Sequence, residues 1–182
     1  IIELGSSFTQ DVRMNEIRLA ANATANIAGD YTIEANEGFF LNNANVIATV
    51  TGNIINSNGG INNSSAAKLI FNNGGTYVHA INGGTIPTAA WNAGSKVDIS
   101  GMTNSLPSGL NQTFRSLSFT SAISADIELG QNLTVLEDLT INLNPGPGDD
   151  LRFTNSNTNR TVSVGRNFYM ISGTLSLDHD NG

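Results

Sequence analysis

The ionisable residues that could act together are few, and most stand in pairs. Asp149 and Asp150 follow Gly146-Pro147-Gly148 in a turn. Two carboxylates that straddle a water can carry out inverting hydrolysis of a sugar polymer. Pectin-cleaving enzymes that work this way add a further Asp, a His-Gly pair and a nearby Arg or Lys. Here His79 is followed by Ala80 and His179 by Asp180, so the expected role of Asp149 and Asp150 is an exposed polar turn. Asp178-His179-Asp180-Asn181-Gly182 offers oxygen donors to calcium, but that ion needs six to eight of them, and the Gly-Gly-x-Gly-x-Asp calcium repeat is absent from the sequence. A hydrated turn is expected there.

Other candidates fall to the same scrutiny. Asp126/Glu128 and Glu137/Asp138 flank apolar strand residues, and alternation sends them to solvent. There they would discourage sideways sheet association. Serines are abundant, yet no Gly-x-Ser-x-Gly elbow or phosphate-binding glycine loop occurs. Tyr77, Trp91, Phe39, Phe40 and Tyr169 could stack on sugars, although core filling is the more ordinary use of such aromatics. Thr76, Thr85 and Thr88 do not form a regular Thr-x-Thr array. No catalytic, cofactor-binding or metal-ligating residue is assigned, and the chain reads as a non-enzyme that needs no cofactor.

The elements that would have to position such groups are short strands. An apolar–x–apolar dyad returns at Ile17/Leu19, Tyr31/Ile33, Leu69/Phe71, Val97/Ile99, Leu117/Phe119 and Ile127/Leu129. It continues at Leu133/Val135, Leu139/Ile141, Leu151/Phe153, Val162/Val164 and Leu175/Leu177. Period-two alternation over three to five residues marks a strand with one buried face. Asn58-Gly59-Gly60, Asn72-Asn73-Gly74-Gly75, Asn82-Gly83-Gly84 and Pro145-Gly146-Pro147-Gly148 punctuate the pattern, since Asn and Gly accept positive φ. No segment carries a helical i, i+3, i+4, i+7 stripe.

Two all-β architectures suit evenly spaced short strands: an antiparallel β-sandwich repeat and a parallel β-helix, or β-solenoid. Short, even connections, low charge and Asn-rich corners favour the solenoid, because like side chains stack into hydrogen-bonded ladders along its axis. Two or three strands per coil would give rungs of roughly 20 to 35 residues. Thr103–Gly109 is expected to loop out between coils. Residues 1–182 read as one solenoid segment without a linker. The opening Ile1-Ile2-Glu3-Leu4 and closing Asp180-Asn181-Gly182 read as the ends of a fragment of a longer chain.

Composition narrows the partners. The 182 residues carry 8 basic and 15 acidic side chains for a net charge of −7. Lys68, Lys96, Arg115, Arg152, Arg160 and Arg166 never cluster, so the basic stripe that nucleic-acid binding requires is missing. No apolar run approaches the roughly 18 residues of a membrane-spanning helix. Cysteine is absent, which leans towards a bacterial extracellular protein. Sequons at Asn22, Asn62, Asn63, Asn111, Asn132 and Asn159 are what an Asn- and Thr-rich chain produces by chance.

The block from Gly75-Thr76-Tyr77-Val78-His79 through Trp91 to Lys96-Val97-Asp98-Ile99-Ser100-Gly101 resembles a recurrent segment of very large surface and secreted proteins of Bacteroidetes bacteria. Ala125–Val135 and Asn159–Phe168 fit the same group, so the resemblance spans roughly residues 70–182. Such proteins are typically cargo of the type IX secretion system. The resemblance implies a repetitive, β-helical, adhesin-like stalk that is secreted or held at the cell surface. Its implied partners are neighbouring coils of the same longer chain, the secretion machinery during export, and surface polysaccharide or other cells. No catalytic residue carries over.

Overall fold

A computed structural model describes residues 2–4, 16–146, 149–154 and 160–176. Among them the chain is all-β: no helix occurs, and every strand pairing is parallel. That parallel ladder identifies a β-solenoid and removes the antiparallel sandwich. Two compact units make up the chain, one of Ile1–Ala80 with Pro87–Val97, the other of Ile81–Ile86 with Asp98–Gly182.

In the first unit the strands stack on three faces, although not every coil has a strand on each. Ile2–Leu4, Thr24–Ile27, Ile47–Val50, Leu69–Phe71 and Ala90–Trp91 stack in that order. Asp30–Ile33, Asn53–Asn56 and Thr76–His79 form the second stack, and Glu16–Arg18, Gly38–Phe40 and Gly60–Asn62 the third. Register places Thr24 beside Ile47 and Asp30 beside Asn53, and groups on neighbouring coils meet at separations of 23 residues. Inward side chains therefore pile into columns: Ala25–Ala48–Leu69, Ile27–Val50–Phe71 and Tyr31–Ile54–Tyr77. All of these are buried. A full-length column of Leu, Ile or Phe contributes about 1.5–3 kcal/mol per side chain relative to exposure. The coils between residues 20 and 65 are thus as regular as later ones, with alanine occupying inward positions.

The second unit repeats the plan. Thr113–Phe114, Leu133–Val135 and Val162–Val164 stack together, as do Ser116–Phe119, Asp138–Asn142 and Asn167–Ser172. Ile127–Glu128, Leu151–Arg152 and Leu175–Ser176 make the third face. The segment Thr103–Gly109 does not loop out. The N–H groups of Thr103, Asn104 and Ser105 all donate to Asn82 Oδ1 at 2.9–3.1 Å, and Ser108 bridges to Thr85. The segment is a rung: Pro107 within it is buried, as is Met102 just before it.

Corners are held by side-chain ladders between coils. Asn22 and Asn45 occupy equivalent turns at φ 64° and 55°, and Asn45 Nδ2 donates to Asn22 Oδ1 at 2.9 Å. Asn63 donates to Asn42 at 2.6 Å and Asn92 to Asn72 at 2.7 Å. Gly74 and Gly94, at φ 85° and 75°, lie one coil apart, and the Gly74 N–H donates to the Gly94 carbonyl at 3.1 Å. A Cβ on Gly94 would displace the Asn73 carboxamide, whose Oδ1 would lie 2.0 Å away, and the left-handed φ is what calls for glycine there.

Candidate functional site

One of two ionic clusters among the described residues that join a guanidinium to two carboxylates lies on the third face of the second unit. Ile127 and Leu151 are register partners with buried side chains, and alternation turns the flanking Asp126 and Asp150 outward along with Arg152. The Asp150 N–H donates to Asp126 Oδ1 at 3.2 Å. Arg152 closes the group, with Nε on Asp150 Oδ1 at 2.7 Å and Nη2 on Asp126 Oδ2. Burial pushes the Asp150 carboxyl up from its ordinary value, the bond to Asp126 pushes it the same way, and Arg152 opposes both. Asp150 thus pairs with a residue one coil earlier and not with Asp149, whose N–H closes a turn on Gly146 at 3.2 Å. Two carboxylates on one guanidinium form a structural ladder; acid–base work at this face would have to break it.

Glu137 and Asp138 do not simply project into solvent. Arg166, one coil on, binds Asp138 through Nε at 2.9 Å and Nη2 at 2.5 Å, and Glu137 lies 3.8 Å from the same guanidinium. Asn167 adds a bond to Asp138 at 2.9 Å. These donors, Arg166 foremost, hold the Asp138 carboxyl at about 2, and the pairing raises Arg166 further.

The candidate sugar-stacking aromatics divide. Tyr77, Trp91 and Phe39 are at most 8% exposed. Phe71 stacks on Trp91 with centroids 4.5 Å apart and meets Tyr77 edge-on at 6.3 Å. These rings are core. Phe40 carries the Arg18 guanidinium 4.3 Å above its ring, whereas Tyr169 is exposed. Thr76 stands in register with Asn53 and Thr85 bonds Ser108 at 2.8 Å, so neither lies over another threonine. Asp178–Gly182 falls outside the described residues. Among those described, no group of three or more His, Cys, Asp or Glu side chains is placed to hold a metal. No helix among them is long and apolar enough to cross a membrane.

A buried polar file runs where the dyad pattern would place only apolar groups. Asn56 and His79 follow Ile54 and Tyr77 at inward positions, and all four are buried. Asn56 Nδ2 donates to Tyr77 Oη at 3.1 Å, and that oxygen lies 3.2 Å from His79 Nδ1. Asn56 Oδ1 accepts from the Gly59 N–H at 3.0 Å. Burial pushes the Tyr77 phenol up to about 12 against the opposing effect of Asn56. The inward position could have been read from i, i+2 spacing; the residue types concealed it.

The last described coil of the second unit presents an open apolar end. Val162, Val164, Phe168 and Leu175, with Phe153, Thr154 and Arg160, line a cavity of about 440 Å³. Phe168 is 47% exposed and Met170 41%. Comparison of the chain with protein-family models, with curated proteins and with solved structures finds no match.

Proposed function

We infer that the chain is a structural, non-catalytic segment of a large bacterial protein that is secreted or held at the cell surface. It serves there as a rigid, repetitive stalk or adhesive display scaffold. The observation that carries this reading is where the polar side chains go. Asn, Asp, Ser and Arg groups bond one coil to the next: Asn45 to Asn22, Asn53 to Asp30, Ser118 to Asp98, Arg152 to Asp126 and Arg166 to Asp138. Polar groups committed along the stack stiffen it and leave few free to act on a substrate. The resemblance around Gly75–Gly101 supports an origin among type IX secretion cargo of Bacteroidetes. It also supports the secretion machinery, neighbouring coils, and surface polysaccharide or other cells as partners.

A carbohydrate-active β-helix, lyase, hydrolase or sugar-binding module, has one observation in its favour: the raised Asp150 carboxyl beside Asp126. The discriminating experiment incubates the chain with acidic and neutral polysaccharides and measures new reducing ends and unsaturated products. The scaffold reading expects none above a heat-denatured control. Product formation that disappears in Asp150→Asn would replace it with the enzymatic one.

A further inference from the structure

The strands Val162–Val164, Asn167–Ser172 and Leu175–Ser176 are each the last strand of their sheet. Register carries the core columns into them: Leu133 and Val135 lead to Val162 and Val164, Leu139 and Ile141 to Phe168 and Met170, and Leu151 to Leu175. The earlier member of every column is at most 1% exposed. The later members flank or line the 440 Å³ cavity. Core residues at this level of exposure, on three parallel strand edges at once, make a template for further strand pairing.

We propose that this end is the acceptor face for one more parallel β-coil, supplied by polypeptide continuing from the last strand. This rests on the rod reading above. The coil it takes carries apolar–x–apolar pairs over Val162/Val164 and Phe168/Met170, and an apolar residue over Leu175. Connectivity selects this occupant over a second copy. In the two preceding coils the equivalent strand hands over to the one that begins the next coil: Ile127–Glu128 to Leu133–Val135, then Leu151–Arg152 to Val162–Val164. A coil that follows the same handover would begin over Val162–Val164, at the high effective concentration of an intramolecular partner. The coil-on-coil surface is also the one already used throughout this unit, continued by a single register step.

The test compares chain 1–182 with the same chain extended by a repeat of residues 133–161. Hydrogen exchange at Asn167–Ser172, binding of an apolar-surface dye and mass in solution are read on both. Alone, the chain should be monomeric, bind the dye, and exchange at Asn167–Ser172 about 100-fold faster than at Asp138–Asn142. In the extended chain the two segments should exchange alike and dye binding should fall. A second extension with serine at its inward positions should protect nothing. A dimeric 1–182 with Asn167–Ser172 already protected overturns the proposal in favour of a second copy. An apolar extension that leaves exchange unchanged overturns it outright. Should the extended chain not fold, the unextended Phe168→Ser/Met170→Ser variant decides. Loss of dye binding with Tm moved by no more than about 2 °C supports the open end, and a loss above about 10 °C contradicts it. None of these readouts depends on whether the rod is adhesive or catalytic, so failure here and failure of the functional reading are separable.

Discussion

Replacing Arg152 by Met tests the claim that the charged residues are ladder elements. The methionine keeps much of the aliphatic stem and removes the guanidinium that bridges Asp126 and Asp150. The arginine and Asp150 side chains are 19% and 16% exposed, whereas Asp126 is 39% exposed. The cost therefore lies between that of a surface pair, about 0–1 kcal/mol, and that of a broken buried pair, about 3–5 kcal/mol. We expect a loss of about 1–3 kcal/mol at pH 7. The sign with pH follows from Asp150, whose folded carboxyl already sits above its ordinary value. A group raised on folding stabilises fully below its unfolded pKa and loses that contribution as pH rises through its folded one. Removing Arg152 removes the opposing influence and widens the gap, so the deficit is largest at neutral pH and shrinks on acidification towards pH 4. Urea unfolding followed by circular dichroism at both values measures it, and hydrogen exchange at Leu151–Arg152 localises it. A variant as stable as the parent at pH 7, or a deficit that does not shrink in acid, refutes the reasoning.

Other consequences are independent of that ladder. Asp138 should stay ionised down to about pH 2 in a carboxyl NMR titration, and Arg166→Gln should return it towards the ordinary value of about 3.9. Because its pKa is depressed on folding, whatever stability it contributes is present above the unfolded value and lost as pH falls through the folded one. Tyr77→Phe removes the oxygen between Asn56 and His79 and should cost about 1–3 kcal/mol in urea unfolding. Ultraviolet titration of the parent should show Tyr31 and Tyr77 un-ionised until about pH 12. Stability they contribute is present below the unfolded pKa and lost as pH rises through the folded one.

Much of the fold was legible from the dyads. Leu133/Val135, Leu139/Ile141 and Leu69/Phe71 lie inward as alternation requires, and Asn-rich corners become the expected ladders. Three features were hidden for physical reasons. Ala25 and Ala48 are too small to stand out as core, yet both are buried in the column that leads to Leu69. Asn56 and His79 are polar, so hydropathy conceals an inward position that their mutual partner Tyr77 makes tolerable. The Asp126–Asp150–Arg152 group is visible only once Ile127 and Leu151 are known to be register partners, because adjacency in sequence points to Asp149 instead. Thr103–Gly109 offers no dyad to mark it as a rung; the Asn82 carboxamide takes the N–H groups of Thr103, Asn104 and Ser105, and the Ser108 N–H donates to the Gly84 carbonyl at 2.9 Å.

The central claim is a stack of coils bonded one to the next, built to be stiff. Single-molecule extension of the chain pulled from its two ends tests it most directly. Register partners on neighbouring coils of the first unit are 20 to 23 residues apart, so peeling one coil should release about 7–8 nm at roughly 3.3–3.6 Å per residue. The account predicts a sawtooth of such steps, or multiples of them, at resolvable force. Smooth lengthening at low force, without steps of that size, would contradict it.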